Sequence, residues 1–165
     1  MKATGIVRRI DELGRVVIPK EIRRTLRIKD GDPLEIFTDR DELMLKKYSP
    51  IATLEKFSEG TARSLNDLSG YLAVICDTDE ILYASGEGKK ELNKKPVSER
   101  LEKIMKDRRS YLANLAEGGD IVPIVSGGDC LGAVSLLSSE EGAKIENGAV
   151  NLARLTADIL ANQFE

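Results

Sequence analysis

The sequence predicts two unlike units in one chain. A small β-dominated unit with the order β-β-α-β-β occupies residues 1–52, and an α+β domain occupies 53–165, with helices before, between and after two antiparallel hairpins. Three observations predict this. Short β-branched runs broken by turn residues fill the first 50 positions, and apolar runs alternating with segments of helical period fill the rest. Charge divides at the same place: residues 1–50 carry 12 Lys/Arg against 9 Asp/Glu, for +3, and residues 51–165 carry 13 against 19, for −6.

In the first unit, TGIVRRI (4–10) reads as a strand, DELG as a turn that Gly14 permits, and RVVI (15–18) as a second strand. Pro19 suits the first position of a helix over Lys20–Ile28, which Gly31 and Pro33 stop. On that helix Ile22 and Leu26 share a face, while Lys20, Arg24 and Arg27 fall opposite at i, i+4 and i+7 with Arg23 beside them. PLEIFTD (33–39) and ELMLKKY (42–48) complete the unit as two strands around Arg40-Asp41. So short a unit buries little surface alone, and dimerisation is the expected remedy.

In the second unit, Pro50 ends the last strand and Thr53 is the expected N-cap of a helix ending near Gly70, with Leu54, Phe57, Thr61, Leu65 and Leu68 in one stripe. YLAVICD (71–77) and ILYAS (81–85) form a hairpin, followed by the loop GEGKKELNKKPVSE. Ser98 caps a helix SERLEKIMKDRRSYL that packs through Leu101, Ile104, Met105 and Leu112. IVPIVS (121–126) and CLGAVSLLS (130–138) pair around Gly127-Gly128-Asp129, and a last helix runs from about Glu140 to Phe164. There Ile145, Ala149, Leu152, Thr156, Ile159 and Gln163 follow the spacing of a helix-packing seam.

Composition narrows the function. Histidine is absent, which removes the commonest general base, the Ser-His-Asp and Cys-His arrangements and most zinc sites; phosphate-loop and dinucleotide glycine patterns are missing too. An enzyme is not expected, nor a cofactor or metal. No apolar run approaches a membrane span, and a cytoplasmic protein is expected. Cys76 and Cys130 sit in apolar runs as buried thiols rather than a disulfide. Residues 1–29 hold nine basic side chains against Asp11, Glu12 and Glu21, the one-signed excess of a nucleic-acid surface.

MKATGIVRRIDELGRVVIPKEIRRTLRIKDGDPLEIF followed by LKKYSP resembles the AbrB-type DNA-binding domain of spore-forming bacteria over positions 1–50. The resemblance implies a swapped-hairpin barrel built by two chains, and DNA contacts from Arg8, Arg15, Arg23 and Arg24. Lys2, Arg9, Lys20 and Arg27 join them from the charge pattern. IVPIVSGGDCLGAVSLLS resembles the end of a GAF domain, without the Asn-Lys and Phe-Asp-Glu pattern of cyclic-nucleotide GAF domains.

The function expected is a DNA-binding transcriptional regulator of the AbrB family, acting as activator or repressor at sporulation-stage genes. Residues 1–52 would dimerise it, helices of 53–165 would join dimers into a homotetramer, and the GAF-like domain would take an unknown small-molecule ligand in a pocket between strands 72–85 and 121–137 and the segment 86–110. The alternative is a MazE-like antitoxin, whose N-terminal barrel is similar. A disordered tail would favour it, and residues 51–165 have the pattern of a folded domain instead.

Overall fold

The computed structural model describes residues 2–116 and 120–165. The chain divides into two compact units, Met1–Tyr48 and Ser49–Glu165.

The first unit holds one helix, α1 (Lys20–Thr25), and one hairpin, β1 (Leu34–Asp39) against β2 (Glu42–Lys47), in register from Leu34↔Lys47 to Asp39↔Glu42. The expected strands 4–10 and 15–18 are not formed. Residues 2–18 carry the turn at 12–14 but no ladder, and no closed barrel exists among the described residues. The physical reason is that a strand exists only through its partner, and one copy of the chain offers these segments none.

Helix α1 is shorter than its sequence suggests, because Arg27 turns the chain at φ 55°. The Arg27 and Ile28 N–H groups bond back to the carbonyls of Arg24 (3.3 Å) and Arg23 (2.8 Å), a Schellman closure with arginine at the position glycine usually takes. Lys20 and Arg24 therefore share the helix, and Arg27 leaves its line. Behind it, the Asp32 carboxylate ties the loop to β2: it accepts the Lys29 N–H at 2.8 Å and the Lys47 ammonium at 3.0 Å. Partial burial pushes the Asp32 carboxyl up, but those two donors outweigh it and leave it below its ordinary value.

The second unit is a four-stranded antiparallel sheet in the order β4-β3-β6-β5, formed by β3 (Leu72–Cys76), β4 (Ile81–Ser85), β5 (Ile121–Ser126) and β6 (Asp129–Leu137). One face carries α3 (Glu55–Ser69) and α7 (Asn147–Ala161), with Ala62, Leu65, Ile75, Ile124, Leu136, Ala153 and Leu160 in the core between. The other face carries α4 (Lys89–Leu92), α5 (Glu99–Lys106) and α6 (Arg108–Ala116), over Val74, Cys76, Ile81, Leu101, Ile104, Ile121 and Ala133. Gly132 lets β6 pass close to β3, since a Cβ there would lie 2.0 Å from the Cys76 carbonyl oxygen.

Local chemistry explains where the elements depart from expectation. Ser49, not Thr53, is the N-cap: its Oγ accepts the Ala52 N–H at 3.3 Å and starts the short helix α2 (Pro50–Thr53), with Pro50 in its first turn. The helix expected over 98–112 breaks at Asp107, whose carboxylate accepts the N–H groups of Arg109 and Ser110 and the Ser110 hydroxyl, starting α6. Those bonds, the Ser110 hydroxyl first, hold the Asp107 carboxyl low. Ser98 caps α5 as expected, its Oγ 3.2 Å from the Leu101 N–H. The expected loop 86–99 includes α4, and its LNKK run lies along β4: Ile81 N–H bonds Lys95 O and Lys94 N–H bonds Ile81 O, each at 2.8 Å. The last helix begins at Asn147 rather than near Glu140, after a turn at Gly142 (φ +75°).

Cys76 is fully buried and Cys130 half-buried, both as free thiols. Burial pushes the Cys76 thiol up to about 12 and raises Cys130 as well. Tyr83 packs half-buried against the α3–α7 core; burial raises its hydroxyl, helped by Glu55, Glu59 and Asp77.

Candidate nucleic-acid interface

The basic side chains of the first unit sit on a turn, a helix and the segments entering them. The DELG turn is tightly made. The Asp11 N–H donates to Arg15 O at 3.0 Å, Gly14 N–H returns to Asp11 O at 3.0 Å, and Gly14 holds φ +75°, which a residue with a Cβ adopts at a cost. Asp11 Oδ1 accepts the N–H groups of Leu13 (2.9 Å) and Arg15 (2.8 Å), and Oδ2 takes the Arg15 Nε at 2.7 Å. The Arg15 N–H above all, and then its guanidinium, hold the Asp11 carboxyl below its ordinary value.

Arg8, Arg9, Lys2, Lys20, Arg24 and Arg27 are exposed, and no ion pair of theirs occurs among the described residues. Arg23 is different. It is half-buried, its Nη1 lies 3.2 Å from Asp30 Oδ1, and its Nε is buried without a hydrogen-bond partner. Lys20, Arg23 and Arg24 crowd one six-residue helix, where the two arginines in the last turn also suit the negative end of its dipole.

Sequence reasoning missed the carboxylates. Asp11 and Asp30 each hold one of the expected DNA-contact arginines, and the Asp-x-x-Gly spacing of the turn was the signal available for the first. Arg40, expected in the β1–β2 turn, holds the tip of that hairpin at φ 49°.

The apolar side chains of this unit are the second part of the geometry. Among the described residues 2–48 Pro19 alone is buried, and every other aliphatic or aromatic side chain is half-buried or exposed; Val7 is 86% and Leu43 65% exposed. In the second unit, an open apolar groove of about 570 Å³ runs between α3 and α7, lined by Phe57, Gly60, Leu68, Leu152, Leu155 and Ile159 among others. On the opposite face of the sheet the expected ligand pocket is largely filled by Leu101, Ile104 and Met105. A cleft of about 290 Å³ remains at its end, between Glu102, Met105 and Lys106 of α5 and Gly128, Asp129 and Cys130 of the β5–β6 turn.

A basic unit without a core, carried by a chain with a separately folded α+β domain, defines a two-domain DNA-binding transcription regulator of the AbrB type. Residues 53–165 match the family described as "Stage V sporulation protein T C-terminal, transcription factor", and residues 7–53 the family described as "Antidote-toxin recognition MazE, bacterial antitoxin". The chain is 49% identical to stage V sporulation protein T of Bacillus subtilis (strain 168), an alignment covering 100% of this chain and 99% of that one. The chain belongs to the stage V sporulation protein T family. The antitoxin alternative is the weaker one, because the longer part of the chain matches a transcription factor.

Two solved structures are also similar. The N-terminal DNA recognition domain of the Bacillus subtilis transition-state regulator AbrB is 64% identical over 30% of this chain and 94% of that one, with a TM-score of 0.27. The cofactor-binding GAF domain of the nutrient sensor CodY from Clostridium difficile covers 69% of this chain and 92% of that one at 14% identity and a TM-score of 0.45. Among the described residues no helix is long and apolar enough to cross a membrane.

Proposed function

We propose that residues 1–52 dimerise through a swapped-hairpin barrel and that the dimer grips the DNA backbone through Arg8, Arg15, Arg23 and Arg24. Lys2, Arg9, Lys20 and Arg27 then extend the phosphate contacts. One observation carries this reading: a unit of regular hairpin, helix and turn leaves Val7, Ile10, Val16, Val17, Leu43 and Met44 in water. Each such side chain contributes about 1.5–3 kcal/mol when covered, and a second copy supplies matching strands for segments 4–10 and 15–18. Arginine suits the backbone because its planar fork meets two phosphate oxygens at once.

Residues 53–165 act as the GAF-like assembly and sensing domain. The α3–α7 groove, with Leu68 73% exposed, joins two dimers into a tetramer, and the cleft beside Cys130 is the place for a small ligand. The protein works in the cytoplasm as a regulator without catalysis of its own, activating or repressing according to where it binds.

Light scattering tests the assembly. The full chain is expected at four copies and a 1–52 fragment at two, and a monomeric fragment would remove the swapped barrel. Filter binding across a salt series tests the DNA contacts, as set out in the Discussion.

A further inference from the structure

Two arginine–carboxylate pairs flank α1, and they use different edges of the guanidinium. Asp11 holds Arg15 through Nε, at 2.7 Å, while its other oxygen is fixed by two main-chain N–H groups of the same turn. The bridge is thus anchored at both ends, and the Nη1/Nη2 edge of Arg15, the fork that matches a phosphate, is not the edge that Asp11 takes. Asp30 instead takes Arg23 through Nη1, at 3.2 Å, from a side chain that is 98% exposed. Here a carboxylate sits on the fork itself, while Arg23 Nε is buried and unpartnered.

We propose that Asp11 is a positioning residue that presents the Arg15 fork to the DNA backbone, and that Asp30 stands in for a phosphate on Arg23 until DNA displaces it. The proposal rests on the reading above in which Arg15 and Arg23 contact DNA. A free arginine side chain loses much rotamer freedom when it binds, and a carboxylate that has already fixed Nε removes part of that cost. Asp30 does the reverse. An exposed ion pair holds weakly and is screened by salt, so a phosphate can replace it, but its charge opposes every duplex that approaches. One pair raises the affinity that Arg15 delivers, and the other lowers the affinity that Arg23 delivers to any sequence.

The test uses the full-length chain, an A·T-rich promoter-length duplex and a random-sequence duplex of equal length, with Kd measured over a salt series. Arg15→Ala and Arg23→Ala must each weaken binding; if neither does, the DNA-contact reading itself falls. Given that they do, Asp11→Asn, which keeps an acceptor for the turn N–H groups, is expected to weaken binding about 3–10-fold and to lower the slope of log K against log salt by about two per dimer, the mark of one lost phosphate contact in each copy. Asp30→Asn is expected to tighten binding to both duplexes about 2–5-fold with a steeper slope. Each effect should vanish in the matching arginine-to-alanine background.

Arg15→Lys leaves Asp11 and the turn in place should Asp11→Asn unfold the unit; its ammonium has no planar fork that one carboxylate can hold by an edge while the other edge meets two phosphate oxygens, so weaker binding is expected there too. Unchanged or tighter binding by Asp11→Asn, a lower melting temperature with an unchanged salt slope, or wild-type binding by Arg15→Lys overturns the positioning role. Unchanged or weaker binding by Asp30→Asn overturns the masking role.

Discussion

Two hairpins of this chain, one in unbroken register and one with a shift at Ile124/Val125, end in opposite surroundings. In β1–β2, Ile36, Phe37, Leu43, Met44 and Leu45 are all exposed across six paired positions. In β5–β6, Ile121, Val122, Ile124, Val134 and Leu136 are buried beneath α7 on one face and α5 and α6 on the other. The difference lies in layers rather than in strands. A sheet is stable when a second layer takes its apolar side chains from water, and the second unit carries its own layers whereas the first carries a six-residue helix and nothing more. On the reading proposed above, the unit that holds DNA is therefore stable only when assembled, and the unit that assembles dimers is stable alone.

The largest effect that would sharpen this contrast is on DNA. Replacing Arg8, Arg15, Arg23 and Arg24 together with alanine removes eight arginines from a dimer and should flatten the salt slope by about 7 units, at about 0.9 per phosphate, while the melting of the second unit stays put. A wild-type slope in a folded quadruple variant would show that the arginines are not the grip.

Next comes packing. Gly132→Ala places a Cβ 2.0 Å from a backbone oxygen inside the sheet, and should cost the second unit about 3 kcal/mol or more in chemical denaturation. In the first unit Val7→Ser changes a side chain that is almost wholly in water in one copy. If two copies bury it, the variant should lose about 1–3 kcal/mol and melt with a stronger dependence on protein concentration; a loss below about 0.5 kcal/mol would mean that Val7 stays exposed and the dimer is built differently.

Arg27→Gly is a smaller and two-sided change. It relieves a left-handed arginine and so should gain up to about 1 kcal/mol of stability, while DNA binding weakens by one phosphate contact. A gain in stability with unchanged DNA binding would remove Arg27 from the interface.

The smallest effects separate the units by pH. Asp32 has a carboxyl held below its unfolded value, so its contribution is present above about pH 4 and is lost as pH falls through the lower folded value. Cys76 has a thiol raised to about 12, so its contribution is full below the ordinary thiol value of 9.0 and is lost as pH rises from there toward about 12. Asp32→Asn should therefore flatten the acid limb of the first unit's melting profile, and Cys76→Ala the alkaline limb of the second's; an unchanged limb in either variant overturns that assignment. Asp107 gives the second unit an acid-sensitive group as well, since its carboxyl is also held low.

How much of this was legible depends on how far apart the interacting groups lie in sequence. The hairpins β3–β4 and β5–β6 and the Ser98 cap follow from alternation, turn residues and a hydroxyl three residues before its N–H, all of which are local. The break at Asp107 was local too, but it was hidden because apolar spacing runs straight through it and only the carboxylate's bonds reveal the second start. Arg27 was placed on the helix line because arginine is a good helix former, and the Schellman closure overrode that preference. Among the basic residues, charge pattern and resemblance give the expected DNA-contact set, while the pairing with Asp11 and Asp30 is read from the structure.

By itself the sequence determined the sign of charge in each part and the two hairpins of residues 53–165, because periodicity, turn chemistry and charge are written within a few neighbouring residues. Tertiary structure alone decided which apolar stripes are covered. Leu65 and Leu68 lie on one predicted stripe and both line the groove with α7, yet the first is buried in the core and the second is left in water. It also decided which guanidinium nitrogen each carboxylate takes, Nε of Arg15 and Nη1 of Arg23. Burial depends on the meeting of segments far apart in the chain, which no local pattern encodes, whereas the two ion pairs join residues four and seven apart and depend on how the turn and the helix end place their side chains.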